Sequence, residues 1–320
     1  VSDMKKIQYL SLFTFMLFSC EDDISIDIIR EEPKVVLHAY FEKEKPMTVD
    51  LTRSIPIPSR VDYDRALYSI AYAEVKVFEN DALLGTMTHE GAGVYVLDQF
   101  PRENHLYSIS VTANGLPEVT TDVEVMPAMP IVSDHRYTKN SPLNNGQNPL
   151  VEHTLTLKNN PGQTAYYKIS LDIRAKHYKN GDIQKEEIIN LYKLASGNPL
   201  LKDYTCLGNC YGDTGIKKAL YFSNEAFADS PEITLLLTTD YFQNYEVVYF
   251  PNETVKVEYV QSIRVSKISK SMMDYSRSIY DNSNANQIFQ EPVTILSNVS
   301  GGFGIFGTLS SVDLPFLFPE

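Results

Sequence analysis

Apolar and polar residues alternate with a period of two in a series of short runs between Lys34 and Val125. Successive side chains of a β-strand point to opposite faces, so this pattern predicts strands with one buried face. Turn residues separate the runs, as in Gly91-Ala92-Gly93 and Asn114-Gly115. The apolar members of the runs are Val35, Leu37, Ala39, Phe41, Val49, Leu51, Val75, Val77, Val94, Val96, Tyr107, Ile109, Val111, Val123 and Val125. The fold class that they predict is mainly β, with an N-terminal Ig-like antiparallel β-sandwich over residues 33–127.

The prolines Pro127 and Pro130 interrupt this pattern and predict a domain boundary. A second, β-rich domain is predicted over residues 131–320. Its longer alternating runs include Leu155, Leu157, Tyr167, Ile169, Leu171, Ile173, Val255, Val257 and Tyr259. The dipeptide Asn180-Gly181 lies between two runs and is typical of a hairpin turn. One helix is predicted, with an apolar face that we expect to pack on the second sheet and that consists of Ile268, Met272, Tyr275 and Ile279.

The first 32 residues have a different pattern. Lys5 and Lys6 precede a mostly apolar run that ends at Leu17-Phe18-Ser19-Cys20. A basic start, a short apolar run and a small residue before a cysteine are typical of a lipoprotein signal peptide, whereas a transmembrane helix needs about 20 apolar residues. We therefore predict a signal peptide over residues 1–19, lipidation of Cys20 and an acidic tether over residues 20–32. The alternative is a buried segment of a cytosolic domain, which the abrupt change to acidic residues after Cys20 disfavours.

Charge and cysteine content narrow the range of partners. The sequence carries 28 basic and 41 acidic side chains, for a formal net charge of −13. Such an acidic surface disfavours binding to nucleic acid or to anionic lipid through charge. We expect Cys206 and Cys210 to form a disulfide that fixes a local turn in an oxidising compartment. The alternative is half of a zinc site, but no histidine lies nearby in the sequence and no second cysteine pair exists.

No recognisable catalytic motif is present. Residues 302–307 match G-x-G-x-x-G, but a dinucleotide site also needs a following helix and an acidic residue about 20 positions further on. The short remainder of the chain contains Pro315 and Pro319 instead. We expect these glycines to permit positive φ or close backbone approach between the last two strands. The six histidines are scattered, and no serine or cysteine lies in a nucleophile elbow. We therefore predict a protein that is not an enzyme, with no catalytic residues, no metal site and no cofactor.

The aromatic composition is the one feature of the sequence that suggests a binding site, with 21 tyrosines and no tryptophan. The cluster that we predict to bind a ligand consists of Tyr241, Phe242, Tyr245 and Tyr249. An exposed tyrosine offers a flat apolar face with a polar tip, which suits contacts with sugars or proteins. The alternative is packing in the core and between strands, which accounts for many tyrosines of β-proteins.

The C-terminal sequence is the most distinctive part of the chain. Phe289-Gln290-Glu291-Pro292-Val293 is followed at residues 297–307 by Ser-Asn-Val-Ser-Gly-Gly-Phe-Gly-Ile-Phe-Gly. This segment resembles the closing signature of a Bacteroidota lipoprotein family known as domain of unknown function 4249. Three other segments resemble the same family: Leu17-Phe18-Ser19-Cys20, which we call the lipobox, Glu32-Pro33-Lys34-Val35-Val36 and the Met126-Pro127 junction. The resemblance implies an outer-membrane lipoprotein with a TonB-dependent receptor β-barrel as its partner. It supplies no catalytic residues.

The same resemblance bears on the direction in which the protein faces. In that family, acidic residues directly after the lipidated cysteine look like the signal for the outer face of the outer membrane. Glu21, Asp22 and Asp23 match that pattern. The alternative is that they form part of a solvated tether.

Three functions follow as hypotheses. The first is a surface-exposed accessory of a TonB-dependent receptor that captures an unknown small nutrient or oligomeric ligand. The second is a structural or adhesive cell-surface module without a role in transport. The third is a hydrolase, which would need two close carboxylates in a cleft.

Overall fold

The computed structural model describes residues 32–55, 65–139, 149–189, 194–203, 219–227, 229–249, 253–284 and 294–318. Within them the chain is mainly β, which confirms the predicted class. Several predicted features lie outside the described residues: the signal peptide, Cys20, the acidic residues Glu21, Asp22 and Asp23, and the pair Cys206 and Cys210. Those features stay predictions.

The N-terminal half contains nine strands and a short helix among its described residues. They are β1 (Val35–Glu42), β2 (Met47–Arg53), α1 (Arg65–Tyr68), β3 (Ala73–Glu79), β4 (Ala82–Thr86), β5 (Thr88–Gly91), β6 (Val94–Leu97), β7 (Leu106–Ala113), β8 (Val119–Thr121) and β9 (Glu124–Val125). The alternating pattern predicted β1, β2, β3, β6, β7 and β9, whereas it gave no signal for β4, β5 or β8.

The C-terminal half has longer strands. Its elements are β10 (Val132–Lys139), β11 (Leu150–Lys158), β12 (Tyr166–Lys179), β13 (Asp182–Ile188), β14 (Leu194–Ser196), β15 (Lys202–Asp203), β16 (Ala219–Ser223), a 3₁₀ helix (Asn224–Phe227), β17 (Glu232–Asp240), β18 (Tyr245–Tyr249), β19 (Glu253–Ile268), α2 (Lys270–Asn284), β20 (Val299–Ser300) and β21 (Phe303–Pro315).

The strands of the described residues form three sheets. The largest runs in the order β15-β16-β12-β19-β21-β1-β2-β6-β5, with β13 added beside β12 and β18 beside β19. The second has the order β20-β8-β7-β3-β4, with β9 beside β7. The third has the order β10-β11-β17-β14. The largest sheet therefore continues across the predicted boundary at residues 127–131, and residues Pro33–Glu320 form one compact unit.

Two hydrophobic cores lie between these sheets. In the first core, Leu37 and Leu51 of the largest sheet pack with Val77 and Ile109 of the second sheet. In the other core, which we call the second core, residues of β12 and β19 pack with residues of β11 and β17. The alternating apolar residues of β1, β2, β3 and β7 are buried as predicted, because each strand presents one face to the first core.

Strand β21 joins the two halves. It pairs in parallel with β1 over Val36–Glu42 and antiparallel with β19 over Ser262–Ile268. Phe306 at its start is buried in the first core, and Phe316, just beyond its end, is buried in the second core. The parallel pairing differs from the predicted antiparallel sandwich, whose strand pairs within residues 33–127 are otherwise antiparallel.

The glycine-rich segment confirms the prediction of close backbone approach. Gly304 has a φ of +111°, and a Cβ atom added there would lie 1.9 Å from the carbonyl oxygen of Leu37. A Cβ atom on Gly307 would lie 2.1 Å from the Cγ atom of Met272 on α2. Only glycine fits position 304, since a side chain there would separate β21 from β1. A side chain at position 307 would displace the Met272 side chain.

The predicted helix is present, but it begins at Lys270, so Ile268 of the predicted apolar face is the last residue of β19 instead. The other three residues of that face pack over the largest sheet. Met272 contacts Ile268 and Leu309, while Tyr275 and Ile279 pack with Ile305. The Tyr275 hydroxyl also lies 3.1 Å from Nε2 of His38 on β1. Because β21 has the first core on one face and α2 on the other, it is buried on both faces and lacks the alternating pattern.

The residues of the run that ends at Val125 face the opposite way from the prediction, which placed its valines in the core. Val123 and Val125 are exposed, whereas Glu124 between them is buried. The Glu124 carboxylate accepts a hydrogen bond of 2.9 Å from the Asn298 amide and others from the hydroxyls of Ser269 and Ser271. Burial raises the pKa of Glu124 above its ordinary value. These polar partners at the start of α2 turn the carboxylate inward and the valines outward.

Candidate binding surface

The long strands β12 and β19 extend beyond the second core. The core residues of β12 end at Ile173, although the strand continues to Lys179. Residues 174–179 of β12 pair with residues 255–260 of β19, and β13 and β18 add one strand on each side. We call this four-stranded part, consisting of residues 174–179, 182–188, 245–249 and 255–260, the arm.

The predicted hairpin forms the end of the arm. Asn180 and Gly181 have φ values of 50° and 92°, as expected for the two central residues of a two-residue hairpin turn. The backbone amide of Asn180 also donates to the Thr254 carbonyl at 2.8 Å, and Thr254 donates to the Asn180 side chain at 2.8 Å. The turn is therefore tied to β19 as well as to its own two strands.

Register separates the arm into two chemically different faces. Directly paired residues of neighbouring strands share a face. Tyr245 pairs with Val257, which pairs with His177, which pairs with Lys185. The face that carries these residues continues into the second core through Ala175, which is fully buried.

Aromatic residues cover one side of that face. Phe242 packs against Tyr259 with ring centroids 5.4 Å apart. Tyr245 lies next, followed on β18 by Val247 and Tyr249, whose side chains point the same way. We call Phe242, Tyr259, Tyr245, Val247 and Tyr249 the aromatic face. Tyr245, Val247 and Tyr249 are 48%, 39% and 55% exposed, so this face is accessible to a partner.

The position of Tyr259 is reflected in its acidity. Burial raises the pKa of the Tyr259 hydroxyl, and the nearby Tyr245 and Glu187 raise it further. Tyr259 thus lies between the aromatic residues of β18 and a polar group at the other edge of the arm. It keeps its proton and offers a donor at the centre of the surface.

The polar group on this face consists of His177, Lys185 and Glu187. His177 Nε2 lies 2.8 Å from Glu187 Oε1, and Lys185 contacts the other carboxylate oxygen. Hydrogen bonds from Lys185 and then from His177 lower the pKa of Glu187. The surface therefore combines flat apolar rings with a charged, hydrogen-bonded edge, which is a composition suited to binding.

The opposite face of the arm combines charged and aliphatic side chains. Lys256 forms an ion pair with Glu258 at 2.5 Å, and the Tyr178 hydroxyl donates to the same carboxylate at 2.9 Å. These contacts lower the pKa of Glu258, with Lys256 as the main cause and Tyr178 as the second. Such exposed ion pairs are solvated. The same face also carries four exposed aliphatic side chains, those of Ile183, Ile188, Val248 and Val260.

The structure separates the four predicted ligand-binding residues. Tyr241 is only 3% exposed and packs in the second core against Phe318, with ring centroids 5.2 Å apart. The prediction that Tyr241 contacts a ligand is therefore wrong, because the ring serves the core. Phe242 is half-buried beneath Tyr259, whereas Tyr245 and Tyr249 are exposed. Whether those three bind a ligand stays a prediction.

Residues 242–244 attach the start of β18 to β19. The Phe242 amide donates to Gln261 Oε1 at 2.9 Å, and Gln261 Nε2 donates to the Phe242 carbonyl at 2.8 Å. Asn244 accepts from the Tyr259 amide at 2.7 Å. The buried Gln261 and Asn244 thereby fix the direction in which the aromatic residues of β18 point.

The sequence patterns did not identify Tyr259, His177, Lys185 or Glu187 as parts of this surface. The Asn180-Gly181 turn did indicate the polar part of the surface, since a two-residue hairpin brings His177 near Lys185. No sequence signal paired β12 with β19, because their contact spans a long intervening segment.

A buried polar group outside the arm contains two histidines that are distant in sequence. His135 Nε2 lies 3.1 Å from His153 Nδ1, and His153 Nε2 lies 3.0 Å from the Thr239 hydroxyl. The two rings stack with centroids 5.4 Å apart. Burial, and then the nearby His135, lower the pKa of His153 to about 4. His153 is 1% exposed, so we assign this group to the core rather than to a binding site.

A third group holds a loop of the N-terminal half. Glu79 accepts hydrogen bonds from Arg102 and from the hydroxyl of the buried Tyr107. The hydrogen bonds from Arg102 lower the pKa of Glu79 despite its burial. The carboxylate has its partners within the protein, and the group fixes the loop before β7.

Two features are absent from the described residues. No cluster of three or more histidine, cysteine or acidic side chains there has a geometry suited to holding a metal ion. None of the helices in that part of the chain combines the length and apolar character needed to span a bilayer.

Comparison with known proteins gives one result. No curated protein matches the chain. A family model described as Domain of unknown function (DUF4249) matches residues 21–313. The match covers both halves, the arm and the glycine-rich segment at the start of β21. The chain therefore belongs to the family of domain of unknown function 4249.

Proposed function

We propose that this protein is an outer-membrane, surface-exposed lipoprotein that acts as a non-enzymatic partner of a TonB-dependent receptor in nutrient uptake. The lipobox at Leu17-Phe18-Ser19-Cys20 and the acidic residues after it support the location. The family match begins at residue 21, directly after the cysteine that we expect to carry the lipid. The receptor as partner rests on the resemblance to the family.

The aromatic face is the observation that carries the binding role. Exposed tyrosines beside valines provide apolar area with polar tips, and tyrosine is enriched in interfaces. A monomeric protein rarely exposes a continuous apolar patch without a function for it. The receptor, or a ligand held between receptor and lipoprotein, is the partner that we propose for this face.

Co-purification from mild detergent tests this proposal. We expect a large outer-membrane β-barrel receptor to accompany the unsubstituted chain and to be lost from the double variant Tyr245→Ser/Tyr249→Ser. Tyr72→Ser is the matched control, since Tyr72 is 86% exposed and lies in the N-terminal half. Retention of the receptor by the arm variant, or its absence with the unsubstituted chain, would contradict the proposal.

Location can be tested separately. Mass spectrometry of the mature N-terminus should find a lipid-modified Cys20, and proteinase added to intact cells should degrade the body of the protein. A lipidated chain that no receptor accompanies would favour the adhesive module instead. An unprocessed chain in the cytosol would contradict both functions.

A further inference from the structure

Strand β18 forms an edge of the arm. Its five residues pair with β19 on one side, and no described strand pairs with its other side. All five residues are exposed. An edge strand presents a row of backbone N–H and C=O groups that can pair with another strand.

Other edges carry features that discourage such pairing. The opposite edge of the arm, β13, has four charged residues among its seven and an irregular register beside His177. Edge β4 has a register shift at Val77, and edge β10 has one beyond Val132. Charges and bulges are the usual means of protecting an edge. Strand β18 is paired regularly and has a single charge, on Glu246.

The sequence of β18 is complementary to itself. It reads Tyr-Glu-Val-Val-Tyr from Tyr245 to Tyr249. When two such strands run antiparallel about Val247, Tyr245 of each lies opposite Tyr249 of the other. Glu246 then lies opposite Val248, so the two negative charges do not meet. Cross-strand aromatic pairs stabilise a sheet, whereas directly opposed like charges destabilise it.

We infer that β18 pairs with β18 of a second copy of this chain, antiparallel and centred on Val247. The contact is isologous, because each copy uses the same strand in the same register. A shift of one residue would turn the aromatic faces to opposite sides of the joined sheet. The register about Val247 keeps them on the same side. Two arms then form one continuous sheet with a doubled aromatic face.

The contact is short. Five residues span about 17 Å along the strand, and stable dimers in dilute solution bury about 1,200 Å² or more. We therefore expect the pairing to be weak and best detected by trapping it covalently. Its formation does not depend on a lipid anchor or on a receptor.

Disulfide trapping tests both the contact and its register. Opposed residues of antiparallel strands have Cα atoms about 4.5–5.5 Å apart, which lies within the range that a disulfide bridges. Purified full-length chain carrying Val247→Cys, oxidised mildly at high protein concentration, should migrate mainly as a dimer on a non-reducing gel. Ile183→Cys on β13, at a more exposed position than Val247, should remain at the level of the unsubstituted chain with its three native cysteines.

Mixing two cysteine variants tests the register of the proposed strand pairing. Tyr245→Cys and Tyr249→Cys should each remain monomeric alone but form a mixed dimer together, because residues 245 and 249 are opposed only between copies. Each variant should retain the circular dichroism spectrum of the unsubstituted chain.

Two outcomes would overturn the inference: a monomeric Val247→Cys chain that is correctly folded, or equal dimer formation by Tyr245→Cys alone and by the mixture. Neither of them bears on receptor co-purification, so the proposed function would stand or fall independently.

Discussion

At the scale of single residues, local polar partners decide which side chains turn inward. The alternating pattern placed Leu37, Leu51 and Ile109 in the core correctly, because strand geometry alone dictates their facing. It failed at Glu124, where partners from α2 and from Asn298 satisfy a buried carboxylate. It also failed at Tyr95, which is buried while its neighbours Val94 and Val96 are only partly so. The Tyr95 hydroxyl donates to the Ile70 carbonyl at 2.9 Å, a partner that no sequence pattern specifies.

The buried His153 predicts a dependence of stability on pH. Burial lowers its pKa from 6.5 to about 4, so the unfolded chain binds a proton at higher pH than the folded chain does. The free energy of unfolding should therefore rise with pH between about 4 and 6.5, and this residue should contribute about 3 kcal/mol over that interval. Urea unfolding at a series of pH values measures the slope.

One variant identifies the source of that slope. His153→Gln should reduce it markedly, because the amide does not titrate. An equal slope in the His153 variant would assign the pH dependence to other groups.

At the scale of elements, the arm and α2 show what could be predicted. The helix was predictable because its apolar residues have the helical period and pack on one surface. The hairpin of β12 and β13 was predictable because Asn180-Gly181 is a local signal. The pairing of β12 with β19, and therefore the aromatic face, was not predictable, since it depends on contacts between residues far apart in sequence.

The Asn180-Gly181 turn predicts how the arm responds to a substitution. Gly181 has a φ of +92°, which a β-branched residue tolerates poorly. Gly181→Val should destabilise the hairpin by about 1–2 kcal/mol and increase amide exchange in β13 roughly tenfold. Exchange in β11 and β17 should stay unchanged, because those strands form the opposite layer of the second core.

Gly197→Val is the control for that experiment. A side chain at Gly197 meets open space, and its φ lies outside the left-handed region. Equal effects of the two substitutions, or faster exchange throughout the third sheet, would contradict a local role for the turn.

At the scale of the whole molecule, the largest sheet connects two cores that the sequence patterns treated as separate domains. Strand β21 is the physical connection, with Phe306 in one core and Phe316 in the other. The side chains of Thr308 and Ser310 on the same strand donate to the carbonyls of Val125 and Pro127, each at 2.6 Å. The prolines predicted as a domain boundary lie between β9 and β10. The attachment of this segment to β21 was not predicted, because hydroxyl contacts leave no periodic signal.

This connection predicts cooperative unfolding. Calorimetry should show one transition for residues of both halves. Phe306→Ala in the first core should cost about 3–5 kcal/mol, and Leu171→Ala in the second core should cost about 2–5 kcal/mol. Each variant should lower the temperature of the whole transition.

Leu236→Ala is the surface control, since Leu236 is mostly exposed and should leave the transition unchanged. Two resolved transitions, each moved by only one of the core variants, would show that the halves unfold independently.

The parallel pairing of β1 with β21 also constrains biosynthesis. Strand β1 can pair with β2 soon after synthesis, but its other neighbour, β21, is the last of the described strands to be made. Until then β1 has an open edge, and Phe306 is missing from the core that β1 helps to build. Such a nascent chain exposes an unpaired strand edge and needs protection from aggregation. A truncated product would keep that edge open, which would mark it for chaperones and proteases.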